Sequence, residues 1–434
     1  MPSRRPKSRV LRVNYLTRTE GESALHISMR DGQVVDLRLE IFEPPRFFEA
    51  FLRGRDAREA PDLTARICGI CPVAYQMSTV HAFERLFGVN IDPTVRALRR
   101  LYLCGEWIES HSLHIHMLAA PDFMGCDSII TMAEKDRAAV ERGLRIKKVG
   151  NAIVAALGGR SVHPVGACIG GFTRAPGRAQ LAALREQLLR IRDDAVETVR
   201  WVAGFDLPQV SRDIEFVALA HPDEYPMNQG RMVSSKGIDA APEDFEDFFE
   251  EQQVPYSNAL HCKVKGRGPY FLGPLARLNL NFNRIGSEVA AVARATGISW
   301  PNSNPYTSIV ARALEVLYSI DQAVRIIEGY EPPGAPAASF ELRAGRGCAI
   351  TEAPRGSLYH AFETDEGGLI RSARIVPPTS QNQARIEADL RELAPDLVHQ
   401  PQAAATRMCE MAIRNYDPCI SCSTHFLRLE IERL

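Results

Sequence analysis

The sequence predicts a mainly α-helical protein with α+β parts, in which a central bundle of long helices is flanked by small mixed sheets at both chain ends. Two patterns carry this prediction. Long stretches place apolar residues at helical spacing, whereas short stretches within 9–41 and 339–376 alternate apolar and polar residues, as half-buried strands do. A third observation concerns 205–275, where proline and glycine interrupt every longer pattern. This punctuation predicts a smaller α+β insertion on the surface of the bundle.

Strands are predicted near the start of the chain at 9–14, 24–30 and 33–41. Asp31 and Gly32 separate the last two, and such a pair is typical of a hairpin turn. A proline-rich stretch at 330–339 predicts a linker between the bundle and the strand-rich stretch that follows it.

Helical periodicity, with glycine or proline at several of the boundaries, predicts the helices, of which the first, 46–54, is short. They cover residues 46–54, 72–88, 94–120, 131–157, 178–203, 281–297, 305–329 and 401–415.

With 434 residues, the chain exceeds the length at which one hydrophobic core usually stops growing, so several packed parts are expected. We divide it into an N-terminal α+β segment with a β-hairpin (1–60), a first part of the bundle (61–204), the α+β insertion (205–280), further bundle helices (281–330) and a C-terminal α+β segment (331–434).

The charge balance of the chain bears on which partners it can bind. The formal net charge is -1, which favours neither nucleic acid nor an acidic membrane surface. No apolar run approaches the roughly 20 residues that a membrane-spanning helix needs. The N-terminal residues MPSRRPKSRV lack the apolar segment of an export signal, and we expect them to form a solvated basic arm.

Four of the ten cysteines form two Cys-x-x-Cys pairs, Cys68/Cys71 and Cys419/Cys422. Each pair can bind one metal ion or bridge two, and the spacing alone leaves zinc, an iron–sulfur cluster and a nickel–iron centre open. Structural zinc is disfavoured because the pairs are separated by almost the entire chain, which is long enough to fold without such a staple. We expect the six single cysteines to be mostly buried small hydrophobes.

The flanks of the pairs resemble a known family. Arg-x-Cys-Gly-x-Cys at 66–71 and Asp-Pro-Cys-x-x-Cys-x-x-His at 417–425 are similar to motifs of the large subunit of nickel–iron hydrogenases. Further matching segments occur in the family's order: Arg18–Gly21, Phe48–Glu49 with Gly54–Asp56, Gly159–Arg160 with His163–Pro164 and Gly170–Gly171, and Glu352–Gly356.

This resemblance implies a nickel ion held by four sulfurs, two of them shared with an iron that carries cyanide and carbonyl ligands. Cys68 and Cys419 would bind nickel alone, while Cys71 and Cys422 would bridge the two metals. Soft thiolates suit both metals. The Cys419 thiolate would accept the first proton from H2, and Glu20 matches the carboxylate that passes protons onward.

The resemblance also assigns residues around the metals. Arg355, with Pro354 before it, would lie against the iron's ligands and the open metal position, and Asp417 would belong to the same group. Glu49 and His425 would help to bind a magnesium-type divalent ion behind the site.

Histidines outside these motifs receive no metal role. His163, with Gly170 and Gly171, corresponds to the region that faces the small subunit's nearest iron–sulfur cluster, although a hydrogen-bonded core histidine fits the pattern nearly as well. For the histidines of ESHSLHIHML, at positions 111, 114 and 116, we expect structural hydrogen bonds and no metal.

Three departures from the respiratory members, Tyr75, Ser110 and Glu22, favour the cytoplasmic, bidirectional, NAD(P)-linked branch, sometimes called sulfhydrogenase. The chain has no further cysteine cluster and no G-x-G-x-x-G segment. Its electrons would therefore leave through two partners, first a small iron–sulfur subunit, then a flavin-containing NAD(P) module.

Residues 426–434 follow His425, and the resemblance implies a maturation endopeptidase that cuts after this histidine. Retention of this tail as a strand is the alternative. The predicted function is thus the catalytic subunit of a reversible hydrogenase. The other functions that this fold allows are a hydrogen sensor and a non-catalytic scaffold related to one of the subunits of complex I.

Overall fold

The computed structural model of the chain describes residues 8–31 and 33–424. Gly32 of the predicted hairpin turn, the basic arm at 1–7, His425 and the tail 426–434 lie outside the described residues. The helices are α1 (Phe48–Leu52), α2 (Ala60–Thr64), α3 (Pro72–Phe87), α4 (Pro93–Leu113), α5 (Ala120–Phe123), α6 (Ile129–Lys135), α7 (Arg137–Gly158), α8 (Arg178–Ala203), α9 (Phe245–Phe248), α10 (Pro274–Asn281), α11 (Ser287–Ala295), α12 (Ser308–Glu328), α13 (Pro378–Leu397), α14 (Gln402–Arg414) and α15 (Ile420–Ser423).

The strands of the described residues form small antiparallel sheets, so the prediction of mixed sheets is wrong on this point. They are β1 (Ser8–Val13), β2 (Ser23–Arg30), β3 (Gln33–Ile41), β4 (Ala167–Cys168), β5 (Gly171–Phe172), β6 (Val217–Ala220), β7 (Arg231–Ser234), β8 (Asp239–Ala240), β9 (Phe249–Gln252), β10 (His261–Val264), β11 (Gly345–Ala353), β12 (Gly356–Thr364) and β13 (Ile370–Val376). Their orders are β1-β2-β3, β6-β7-β8 and β11-β12-β13, with the pairs β4-β5 and β9-β10.

The bundle is built by α4, α7, α8 and α12, which pack side by side around one large apolar core. The predicted fold class, a helical bundle with small sheets towards both ends, is confirmed. The division of the chain at residues 60, 204, 280 and 330 stays a prediction. Among the described residues, no helix combines the length and apolar character that crossing a membrane requires.

Two of the predicted long helices are interrupted. The helix expected at 94–120 changes after α4 into a π-helical turn, His114–Ala119, before α5 begins. The stretch 131–157 is divided at Asp136, whose side chain accepts a hydrogen bond from Ala139 N at 3.0 Å and so starts α7. At Asp136, side-chain capping thus overrides a continuous apolar period.

Helix α13 was not predicted, because the buried face of its first turns is polar. Gln381 donates from Nε2 to the carbonyl of Ser357 at 2.7 Å, and Asn382 accepts from Leu272 N at 2.9 Å. Buried amides in this arrangement satisfy neighbouring backbone groups, but these first turns carry no apolar stripe, which begins only at Ile386.

The strands β11 and β12 form a hairpin that matters for the site. Ala353 pairs with Gly356, so the turn between them consists of Pro354 and Arg355 alone. Gly356 has φ +135°, and a Cβ there would lie 2.7 Å from the Cβ of Leu272. Only glycine allows this backbone and this close approach.

Candidate metal centre

The two cysteine pairs meet at one buried point between the start of α3 and α15. The four sulfur atoms all lie within 4.8 Å of one another. Sγ of Cys68 is 3.5 Å from Sγ of Cys419, and Sγ of Cys71 is 3.5 Å from Sγ of Cys422. Among the described residues, no other group of three or more cysteine, histidine or carboxylate side chains has this metal-binding arrangement.

The first cysteine loop is held by backbone amides and a buried carboxylate. Sγ of Cys68 accepts hydrogen bonds from the amides of Ile70 and Cys71, at 3.3 and 3.2 Å. Glu106 of α4, which is buried, accepts from the amides of Val73 at 2.6 Å and Ala74 at 3.1 Å. These amides belong to the first turn of α3, so Glu106 caps the helix that follows Cys71.

The second loop is held from three directions. The amide of Cys419 donates to Oγ1 of Thr379 in α13 at 3.0 Å, and the amide of Ile420 donates to the carbonyl of Glu20 at 3.0 Å. Arg46 joins the two loops, because Nη2 donates to the carbonyl of Ile67 at 2.6 Å and also to that of Ser421.

Glu20 lies beside this second loop, as the resemblance implies. Oε2 of Glu20 accepts from the amide of Ser421 at 3.0 Å, and Oε1 contacts the Ser421 hydroxyl. The same hydroxyl is 2.7 Å from Oε1 of Glu43, so one serine lies between two carboxylates. Ser421 and Glu43 are not predicted from the sequence, since neither occupies a recognised position of the motifs.

Arg355 and Asp417 are both buried and form a pair next to the sulfurs. Arg355 donates from Nε to the carbonyl of Asp417 at 2.7 Å and from Nη2 to Oδ1 at 3.1 Å. Burial alone would lower the pKa of Arg355, but the charges of Asp417, Cys419 and Cys71 raise it well above its ordinary value. Its positive charge is therefore fixed at every physiological pH. Pro354 is buried in the same turn.

Two buried polar atoms of this pair have no hydrogen-bond partner within the described part of the chain: Nη1 of Arg355 and Oδ2 of Asp417. A buried polar group without a partner costs free energy, on the order of 1–3 kcal/mol. Donors and acceptors left free beside four sulfurs suit a metal centre that carries small polar ligands.

Burial acts on all four thiols, yet their protonation differs. It raises the pKa of Cys419, and the neighbouring thiols raise it further. At Cys68 burial acts in the same direction, but hydrogen bonds from the other three thiols and the charge of Arg355 outweigh it, and the pKa lies well below its ordinary value. The metal-free cluster therefore retains protons that a metal must displace.

The carboxylate of Glu49 accepts from the amide of Ile375 at 2.7 Å and so links α1 to β13. Its predicted partner, His425, is outside the described residues. The preceding residue, Thr424, accepts at its carbonyl from the amide of Arg46 at 2.8 Å. The chain thus approaches the start of α1 just before His425.

The histidines of α4 and the π-helical turn form structural hydrogen bonds, as predicted. Nε2 of His111 lies 2.9 Å from Oε2 of Glu315, and Nε2 of His114 lies 2.8 Å from the carbonyl of Arg414. Nδ1 of His116 lies 3.0 Å from the carbonyl of Ser112.

His163, in the loop after α7, is partly buried and its Nδ1 lies 2.9 Å from the carbonyl of Ala65, three residues before Cys68. Val162 and Val165 beside it are exposed by 52% and 43%. This loop therefore joins the first cysteine loop to an apolar part of the surface.

Glu106 and Glu109 of α4 were also missed. Burial raises the pKa of Glu109 to about 7, and Lys147 of α7, 2.8 Å away, only partly offsets it. Burial likewise raises the pKa of Glu106 well above its ordinary value. Two carboxylates inside a long helix whose apolar spacing predicts burial are the available signal in the sequence.

The sulfur distances alone fit zinc, an iron–sulfur cluster or a nickel–iron pair, so comparison with known proteins decides between them. The profile of a family described as nickel-dependent hydrogenase matches residues 46–145 and 277–425, which include all four cysteines. The alpha chain of sulfhydrogenase 2 of Pyrococcus furiosus is 32% identical over 97% of this chain and 100% of that protein. A vhc chain of an F420-non-reducing hydrogenase of Methanococcus voltae is 29% identical over 96% of this chain and 94% of that protein.

Solved structures agree with the sequence comparisons. The structure of an NAD+-reducing NiFe hydrogenase in the H2-reduced state superimposes with a TM-score of 0.87 at 27% identity, covering 96% of this chain and 99% of that one. A Ni-Fe-Se hydrogenase from D. vulgaris Hildenborough, at 24% identity and a TM-score of 0.79, shares the fold over 96% of this chain. The chain therefore belongs to the nickel-dependent hydrogenase family, in which it is the catalytic large subunit of an oxidoreductase that acts on H2.

Proposed function

We propose that Cys68, Cys71, Cys419 and Cys422 hold one nickel and one iron, with cyanide and carbonyl ligands on the iron, and that this site cleaves and forms H2 reversibly. The observation that carries the proposal is the convergence of four buried sulfurs next to the Arg355–Asp417 pair. When bound, such a centre would supply the heterolytic cleavage of H2, and the overall oxidation of H2 gives two protons and two electrons. The residues of the chain orient ligands and move protons.

Within this proposal, the thiolate of Cys419 accepts the first proton and Glu20 carries it away. Support for Cys419 is its full burial beside the other three sulfurs and the fixing of its backbone amide by Thr379. Support for Glu20 comes from its two hydrogen bonds to Ser421, two residues after Cys419, and from its partial exposure, which gives a route towards water.

Arg355 and Asp417 are proposed to orient the ligands of the iron and the reacting position. A guanidinium keeps its charge and offers several N–H donors, and Nη1 of Arg355 is left without a partner among the described residues. Pro354 fixes the backbone immediately before Arg355. Asp417 limits the rotation of the Arg355 side chain through two hydrogen bonds.

A divalent ion such as magnesium is proposed for Glu49 and His425. A carboxylate is a ligand that suits a hard cation, with waters completing the coordination. Support comes from Thr424, which is held beside Arg46, three residues before Glu49.

Electron transfer needs partner subunits. We propose a small iron–sulfur subunit docked where His163, Gly170 and Gly171 lie, since exposed Val162 and Val165 flank this loop and it contacts the first cysteine loop through Ala65. A flavin-containing NAD(P) module is the proposed final acceptor, in line with the likeness to an NAD+-reducing hydrogenase. Because nicotinamide cofactors are used in the cytoplasm, we also propose a cytoplasmic location. We further propose that an endopeptidase cuts the chain after His425 during maturation.

The direct test uses the assembled complex and the exchange of D2 with solvent protons, which needs the metal site but no electron acceptor. Cys419→Ser should lose this exchange almost entirely. Cys409→Ser, a matched change at a buried cysteine outside the site, should keep it. Full exchange in Cys419→Ser would overturn the role of Cys419 as proton acceptor. If the complex reduced viologen with H2 but reduced neither NAD+ nor NADP+, only the proposed NAD(P) acceptor would be overturned.

A further inference from the structure

Arg277, on α10, is wholly buried and belongs to none of the motifs recognised in the sequence. All five of its N–H groups meet an acceptor. Nε and Nη2 donate to Glu315 at 2.8 and 2.7 Å, and Nη1 donates to Glu352 at 2.8 Å. The two remaining N–H groups donate to the carbonyls of Ala353 and Pro354, both at 2.9 Å. A guanidinium provides five donors in one plane, so none is left over.

The two carbonyls that Arg277 binds are those that precede Arg355. They belong to the hairpin turn in which Pro354 and Arg355 are the only unpaired residues. Fixing two successive carbonyls fixes the orientation of both peptide planes, and with them the direction in which the Cα of Arg355 carries its side chain.

The start of α10 touches the same turn from its other side. Gly273, which has φ +108°, precedes α10, and a Cβ there would approach the carbonyl oxygen of Arg355 to 3.0 Å. The amide of Arg277 donates to the carbonyl of Gly273 at 2.9 Å. A single helical turn therefore contacts the backbone of Arg355 through Gly273 and the backbone before it through the Arg277 side chain.

Other buried groups hold the Arg277 guanidinium. Glu315, on α12, accepts from the Tyr225 hydroxyl at 2.7 Å and lies 2.9 Å from Nε2 of His111. The Trp107 ring packs against the guanidinium, and Cζ of Arg277 lies 4.2 Å from the centroid of this ring. Burial would raise the pKa of Glu315, but Arg277 lowers it to about 2, so the pair is ionised at neutral pH.

We propose that Arg277 is a positioning residue for the hydrogenase reaction: it locks the Pro354–Arg355 turn so that the Arg355 guanidinium is held at one place beside the four sulfurs. His111, for which the sequence indicated only a hydrogen bond, then serves this arrangement through Glu315. The inference rests on the proposed role of Arg355 at a nickel–iron centre.

The test compares Arg277→Lys with the matched control Arg385→Lys in the assembled complex. Arg385 is also buried and also pairs with two carboxylates, Asp389 and Glu392, but does not contact the turn. A lysine keeps the charge but cannot bind two carboxylates and two carbonyls at once. Nickel and iron content, infrared bands of cyanide, amide exchange of Ala353, Arg355 and Gly356, and H2 turnover are measured for both variants.

We expect Arg277→Lys to keep both metals, to exchange the amides of the turn faster, to shift the cyanide bands and to slow H2 turnover roughly 10- to 100-fold. Arg385→Lys should leave the bands and turnover unchanged. The double variant Arg277→Lys/Arg355→Lys should be no slower than Arg355→Lys alone. Where Arg277→Lys fails to fold, Glu315→Gln, which keeps the shape of the site, should show the same band shift.

Unchanged cyanide bands and turnover in a folded Arg277→Lys variant would overturn the inference. So would a slowdown that multiplies with that of Arg355→Lys, or a loss of nickel and iron, because either result would separate Arg277 from Arg355. Failure of the proposed function would look different, since the unsubstituted complex would then show no cyanide bands.

Discussion

Arg355 and Asp417 form a buried pair in which one guanidinium binds both the backbone and the side chain of the same residue. Nε donates to the Asp417 carbonyl at 2.7 Å and Nη2 donates to Oδ1 at 3.1 Å. Asp417 has φ 51°, an unusual value for a residue other than glycine, and lies two residues before Cys419. The hydrogen bonds thus tie the β11–β12 turn directly to the second cysteine loop.

Arg355→Lys should keep the positive charge but lose the two-point contact with Asp417. We expect normal nickel and iron content, because the four sulfurs are untouched, and a fall in H2 turnover of roughly 100-fold, as geometric misplacement of an orienting group produces. Steady-state H2 oxidation with viologen measures it. Turnover within twofold of the unsubstituted enzyme would argue against the role of Arg355.

Glu20→Gln should keep the hydrogen bonds to Ser421 but remove the ability to carry a proton. We expect H2 to bind and the metals to be retained, while exchange of D2 with solvent protons falls roughly 100-fold or more. Glu22→Gln is the control, since its neighbouring, exposed carboxylate is outside the proposed route. Equal exchange rates in the two variants would show that Glu20 does not carry protons.

Ser421→Ala should interrupt the contact between Glu20 and Glu43. A hydroxyl has one proton, so Ser421 can donate to only one of the two carboxylates at a time. We expect slower D2 exchange and a changed solvent isotope effect in Ser421→Ala, with recovery in Ser421→Thr. Identical isotope effects in all three proteins would exclude this hydroxyl from the proton route.

Glu109→Gln should change the pH dependence of stability. The pKa of Glu109 is raised from 4.5 to about 7 in the folded chain, so its contribution is fully present below pH 4.5 and is lost as the pH rises towards 7. We expect the unsubstituted metal-free chain to lose on the order of 3 kcal/mol of unfolding free energy over this window through this group. The variant should lack that loss in denaturant titrations at a series of pH values. Parallel pH profiles for the two proteins would contradict the assignment.

Short sequence motifs predict those site residues that lie close together in the chain. The two Cys-x-x-Cys pairs and Glu352–Gly356 are each local patterns, and the structure brings the cysteines together. The periodicity of α3, α8 and α12 likewise predicts the bundle, because an apolar stripe is a property of one segment.

Contacts between distant segments could not be predicted in the same way. Ser421 and Glu43 are 378 positions apart, and Arg277 and Pro354 are 77 apart. Nothing local distinguishes Arg277 from a surface arginine on an amphipathic helix. The start of helix α13 is not predicted for a related reason, since its first turns pair buried amides with the backbone of other segments, and apolar spacing begins only at Ile386.

Metal analysis combined with infrared spectroscopy of the purified complex tests the central claim most directly. We predict nickel and iron at about one each per copy of this chain, beyond the iron of the partner's clusters, together with cyanide and carbonyl stretching bands that disappear in Cys422→Ser. Zinc as the only metal bound by the four cysteines, with no such bands, would contradict the account.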